Sequence, residues 1–184
     1  MNFNKHLNLE GKHAFLGASK WHWINYSEDK IIESYDKFIA VQKGTKLHEM
    51  AKMHIEEGMV MPRNSQTFNM YVNDAIGFKM TPEQPLYYSD NCFGTADTIC
   101  FKNDILRIHD LKTGETPASM AQLEVYTALF CLEYGINPSD ISTELRIYQS
   151  DEILVHAPEN EIIYSIMNKI ITFDKRINRL MTEE

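Results

Sequence analysis

The stretch Gly94-Thr95-Ala96-Asp97-Thr98-Ile99-Cys100-Phe101-Lys102-Asn103-Asp104-Ile105-Leu106-Arg107-Ile108-His109-Asp110-Leu111-Lys112-Thr113-Gly114 reads as two strands joined by a tight turn. Asn103 and Asp104 supply the turn, and β-branched residues flank it on both sides. Side chains two apart on a strand share a face, so Leu106, Ile108, Asp110 and Lys112 point the same way. Two apolar residues leading into an acid and an amine make a poor core. They suit a strand whose buried face opens into a cleft at its C-terminal end. Asp97, on the partner strand, is placed to lie beside Asp110 there. Two carboxylates with a lysine beside them form a candidate site for a hard divalent cation.

Working outward, Thr113-Gly114 breaks the second strand. Thr116 as N-cap with Pro117 at the first helical position predicts a helix to residue 134, stopped by Gly135 and Pro138. Further strands are expected over 145–148 and 153–156, then an amphipathic helix over 159–180 with Ile162, Ile163, Ile166, Ile170 and Ile177 on its stripe. Upstream, Pro82 and Pro85 separate the strands from a helical half, with a first strand over 86–93. In that half Ser27, Glu28 and Asp29 start a helix whose buried face is Ile31, Ile32, Tyr35, Phe38 and Ile39. A helical segment carrying Gly44, Leu47 and His48 runs toward Gly58, and Ser65 caps a helix over 66–76 that Gly77 ends. Trp21, Trp23 and the methionines Met59, Met61, Met70 and Met80 read as packing residues. The chain is thus expected to be one α/β domain over 1–184, with a helical part about 1–80 and a mixed sheet with packed helices about 81–184.

Composition narrows the class. The 184 residues are 43% hydrophobic and 24% charged, ordinary for a globular protein with a real core. A formal net charge of -8 argues against a broad basic surface that coats nucleic acid without selection. Three widely spaced cysteines point to a reducing compartment and lack zinc-knuckle spacing. No apolar run is long enough for a membrane span and the N-terminus is not signal-like, so a cytoplasmic protein is expected.

The motifs Gly94-Thr-Ala-Asp97, Asp110-Leu111-Lys112 and Gln122-Leu-Glu-Val-Tyr126 resemble those of the PD-(D/E)XK nuclease superfamily. The similarity is to its RecB-type branch, which includes lambda-exonuclease-like and CRISPR-associated exonucleases and many phage proteins. That branch carries a G-x-x-x-H motif on an earlier helix, and Gly44-Thr45-Lys46-Leu47-His48 fits it. The segment from His13 to Trp21 is more loosely similar to the opening of phage-borne members. The resemblance implies a restriction-endonuclease-like core, a central mixed sheet flanked by helices. It also implies a divalent-metal-dependent deoxyribonuclease, an exonuclease in phage-type recombination, replication or repair. DNA, a recombination partner protein and a homo-oligomer are the implied partners. Some members hold a four-cysteine iron–sulfur cluster, but three cysteines do not build one, so none is expected here.

Phosphodiester hydrolysis needs water activated at neutral pH and charge neutralised on the phosphoryl oxygens, and Mg²⁺ or Mn²⁺ serves both. Asp97 and Asp110 are suitable hard ligands; without the lysine and the other motifs they read equally as solvated edge acids. Lys112, on the same face as Asp110, fits a role in positioning water or stabilising transition-state charge, and fits equally an ordinary ion pair. The resemblance adds His48, as a further metal ligand or a group that orients water, and the Leu111 carbonyl as a metal ligand. It also assigns Gln122 and Tyr126, four apart on one helix face, to contact with substrate or lysine. On their own these two read as the polar edge of a buried helix. Glu124 and Glu49 point elsewhere and are excluded. Lys12, Lys20, Lys37, Lys43 and Lys46 are the basic residues available to track a nucleic-acid backbone. A catalytically silent nucleic-acid- or partner-binding module on the same fold is the alternative reading.

Overall fold

The computed structural model describes residues 14–16, 18–114 and 116–182. His13 and Lys12 lie outside them. The chain divides into two compact units, Met1–Thr45 and Lys46–Glu184.

In the first unit a 3-10 helix, Ala18–Asn25, precedes the start of α1 (Glu28–Glu56). Ser27 caps α1 as expected, its Oγ accepting from the Lys30 N–H at 3.3 Å. Phe15 packs edge-on against Tyr35 and beside Phe38. The predicted buried face is only partly so. Ile32 and Tyr35 are 59% and 48% exposed, which corrects their assignment to a core. The helix continues through Gly44 without a break.

The second unit is an α/β body. It contains the last turns of α1, then α2 (Thr67–Phe78), β1 (Thr81–Ser89), β2 (Cys92–Lys102) and β3 (Ile105–Leu111). There follow α3 (Ala121–Tyr134), β4 (Ser142–Gln149), β5 (Glu152–His156) and α4 (Asn160–Thr182). The five strands form one sheet in sequence order, antiparallel except for the β3–β4 pair, which is parallel. A parallel pair needs a crossover, and α3 provides it. The turns Asn103-Asp104 and Ser150-Asp151 each place two residues at positive φ, 52°, 58° and 51°, 60°. This is the backbone of two-residue hairpins whose twist matches the strands.

Alternation along β3 divides the core. Leu106 and Ile108 face α3 and α4 and pack with Leu123, Leu129, Leu145, Ile147 and Ile163. Leu111 faces the other way, into a cluster with Ala51 and Ile55 of α1, Tyr71, Val72 and Ala75 of α2, and Tyr148. On that second side the Arg107 and Arg146 guanidinium groups both lie over the Phe78 ring, 4.6 and 5.0 Å from its centre. Arg146 pairs with Asp74, which also accepts from the Tyr148 hydroxyl at 2.6 Å.

Several boundaries differ from those predicted. Asp151, not Ser65, satisfies the start of α2, its Oδ1 accepting from the Thr67 N–H at 2.8 Å and the Thr67 hydroxyl at 3.0 Å. That helix passes Gly77 and ends at Lys79, which takes the left-handed conformation itself. Strand β1 begins at Thr81 and includes both prolines, which an edge strand tolerates because one side needs no donors. Thr116 and Pro117 are in the loop before α3, not at its start. The Gln149 side chain holds that loop, with Nε2 donating to the Gly114 and Thr116 carbonyls and Oε1 accepting from the Ala118 N–H. Met59, Ile162 and Ile177 are about two-fifths exposed, at 40%, 39% and 40%, rather than core.

Candidate metal centre

The β1–β2 hairpin reverses its facing at one step. Leu86 and Ala96 lie in the core beneath α3, and so does Ile99. Positions 96 and 99 are an odd number apart and on a regular strand would face opposite sides. Pro82 pairs with Thr98 and Gln84 with Ala96, but Glu83 and Asp97, opposite each other between them, make no pair. Glu83 sits at φ 49°. Left-handed backbone costs a non-glycine residue about 1–2 kcal/mol, so the kink is held against local preference. It takes both carboxylates out of regular strand geometry.

The β2–β3 ladder stops at Thr98 and His109. One step further, Asp97 and Asp110 stand opposite each other where the strands part. Asp97 Oδ2 accepts from the Leu111 N–H at 2.9 Å and lies 3.4 Å from His48 Nδ1, brought in by α1. Ligand atoms of His48, Glu83 and Asp97 all lie within 4.8 Å of one another, the group of this kind among the described residues. Asp110 is 2% exposed. Its Oδ1 accepts from Lys112 Nζ at 3.1 Å, and its Oδ2 lies 2.9 Å from the same ammonium. Lys112 Nζ also donates to Gln122 Oε1 at 3.0 Å, and Gln122 Nε2 donates to the Tyr126 hydroxyl at 3.1 Å.

The electrostatics follow from this crowding. Burial first, and the Asp110 charge second, push the Asp97 carboxyl up to about 6, against the pull of His48 and the Leu111 N–H; Glu83 adds to the rise. Burial and the Asp97 charge also hold the Tyr71 hydroxyl well above its usual range, so it stays protonated beneath the site. Three acids converge here on one histidine and one lysine.

The chain thus brings together His48, Asp97, Asp110, Leu111, Lys112, Gln122 and Tyr126. Leu111 takes part through its backbone, because its side chain is fully buried on the α2 side. Glu83 escaped the sequence reading. Its signal is an acid between two prolines, a pattern that also marks a break before a sheet. Glu124 turns away to His156, 3.2 Å from Oε1 to Nε2, and Glu49 is exposed. Of the lysines considered for substrate, Lys37 pairs with Glu33, Lys43 and Lys46 are exposed, and the Lys20 side chain lies outside the described residues.

No family model, curated protein or solved structure matches the chain. Among the described residues no helix is long and apolar enough to cross a membrane.

Proposed function

We propose that this protein is a divalent-metal-dependent nuclease that hydrolyses phosphodiester bonds of DNA. One observation carries the reading. Where β2 and β3 part, Asp97 and Asp110 stand together with a lysine paired to one and a histidine beside the other. An ion pair alone does not account for it. A structural pair would need one acid, whereas here Glu83 and Asp97 lie with His48, and the charge of Asp110 bears on Asp97 beside them. Such an excess of hard oxygen donors fits Mg²⁺ or Mn²⁺.

His48, Glu83, Asp97 and Asp110, with the Leu111 carbonyl, are the groups that would hold the ion. When bound, it would lower the pKa of water and polarise a phosphoryl oxygen. The chain's own residues supply the rest. Lys112, held by Asp110 and Gln122, presents a fixed ammonium beside the carboxylates, where charge develops on a phosphate. Gln122 and Tyr126 line the approach from α3. The motif resemblance makes the substrate DNA, and it extends the proposal to end-processing in phage-type recombination, in a host cytoplasm.

The test is incubation of purified protein with end-labelled linear and closed circular DNA in Mn²⁺, Mg²⁺ or EDTA. Metal-dependent loss of the linear substrate alone is expected. Retention of both substrates with either metal would overturn the reading in favour of a silent binding module.

A further inference from the structure

We propose that Gly94 is a positioning residue for Lys112, acting through Tyr126 and Gln122. The proposal rests on the nuclease reading for its catalytic meaning, but its geometry stands separately. Gly94 is a ladder residue of β2, paired with Leu86, and is not among the residues at positive φ. Its backbone therefore suits any amino acid. What excludes a side chain is the Tyr126 ring. A Cβ on Gly94 would stand 2.9 Å from Tyr126 Cε1 and 3.8 Å from Cδ1 and Cζ. Carbon atoms pack at about 3.5–4.0 Å, so one of the two must move.

The strand is held on both sides of Gly94, at Phe93 by Tyr87 and at Thr95 by Pro85. The ring, which turns on its own side-chain bonds, yields first. Its hydroxyl is the acceptor for Gln122 Nε2, and Gln122 Oε1 is in turn the acceptor that holds Lys112 Nζ against Asp110. A displacement at Gly94 therefore reaches the lysine in two hydrogen bonds. The bare strand at residue 94 is the seat that sets the height of the ring and, through it, the direction of the ammonium.

The experiment is a double-mutant cycle on Gly94→Ala and Tyr126→Ala, read by amine labelling of Lys112 with Lys52 as internal reference. Gly94→Ala is expected to raise Lys112 labelling about threefold or more, the low end of what one lost hydrogen bond is worth. Tyr126→Ala should raise it equally, and adding Gly94→Ala to Tyr126→Ala should change nothing further, because the ring is gone. If Gly94→Ala alone does not fold, the double variant should, since the clash is removed. Wild-type labelling in Gly94→Ala, an equal increment in the Tyr126→Ala background, or a double variant that also fails to fold would each overturn the proposal. Cleavage is assayed on the same proteins. A wild-type protein that cuts nothing overturns the nuclease reading, while the labelling cycle decides the role of Gly94 by itself.

Discussion

Glu83 and Asp97 face each other across the β1–β2 hairpin at a step where the pairing lapses, and Glu83 holds a left-handed backbone there. A glutamate under backbone strain, beside two other acids, is poorly explained by stability. The proposed ligand role accounts for it. Glu83→Gln should keep the fold and weaken Mn²⁺ affinity, because ligand charge count sets the affinity of such a site. Asp97→Ala and Asp110→Ala should each weaken it as well. Titration calorimetry on the three variants checks this; unchanged affinity in Glu83→Gln would confine the site to the β2–β3 side.

The raised Asp97 carboxyl has a consequence for the protein in EDTA. An acid whose pKa rises from 3.8 unfolded to about 6 folded binds its proton more tightly in the native state. Stability therefore falls as pH rises through that window, and the penalty is complete above about 6. Asp97→Asn should remove it. The variant should be more stable than wild type by about 2–3 kcal/mol at pH 7, with the difference shrinking below pH 6 and gone by about pH 3, below the unfolded value of 3.8. Denaturant unfolding in EDTA at several pH values measures this, and a gain that persists in full at about pH 3 would assign the effect to packing.

Much of this arrangement was legible because its signals are local. The Asn103-Asp104 turn fixed the register of β2 on β3, and strand alternation then placed Asp110 on the face of Leu106 and Ile108. What escaped depends on partners distant in sequence. Pro82 and Pro85 looked like breakers because nothing local reveals that β1 is an edge strand, and Glu83 between them was lost with it. Thr116-Pro117 has the chemistry of a helix start, but Gln149 captures that segment as a loop and α3 begins at Ala121. The exposure of Ile32 and Tyr35 was equally hidden, since periodicity marks an apolar face without saying what covers it.

Gln149 is accordingly open to test. Its side chain, 9% exposed, makes three hydrogen bonds to the loop between Lys112 and α3. Gln149→Leu keeps the volume and removes them all, at about 1 kcal/mol each. Amide exchange should quicken at Ala118, and the melting temperature should drop by several degrees. Protection of Ala118 at wild-type levels would show that the loop is held by something else.

Lys112 is where an ion pair and a catalytic group part company. Asp110 is buried, and among the described residues Lys112 is the cation paired with it within 4 Å. Lys112→Met leaves that carboxylate uncompensated, and breaking a buried pair by removing one member costs about 3–5 kcal/mol, less here because the lysine side chain is 31% exposed. The melting temperature in EDTA should therefore fall, and Mn²⁺ should restore much of it. Metal affinity should hold or rise, because a positive charge leaves the neighbourhood of the ion. If Lys112 also stabilises charge on the reacting phosphate, single-turnover cleavage should slow by about 10²–10³, the usual effect of removing one preorganised donor. Slow cleavage at saturating Mn²⁺, on a protein that Mn²⁺ has restabilised, assigns the loss to the chemical step. Wild-type cleavage under the same conditions would leave Lys112 a counter-ion of Asp110 and remove the residue that distinguishes a nuclease centre from a set of acidic metal ligands.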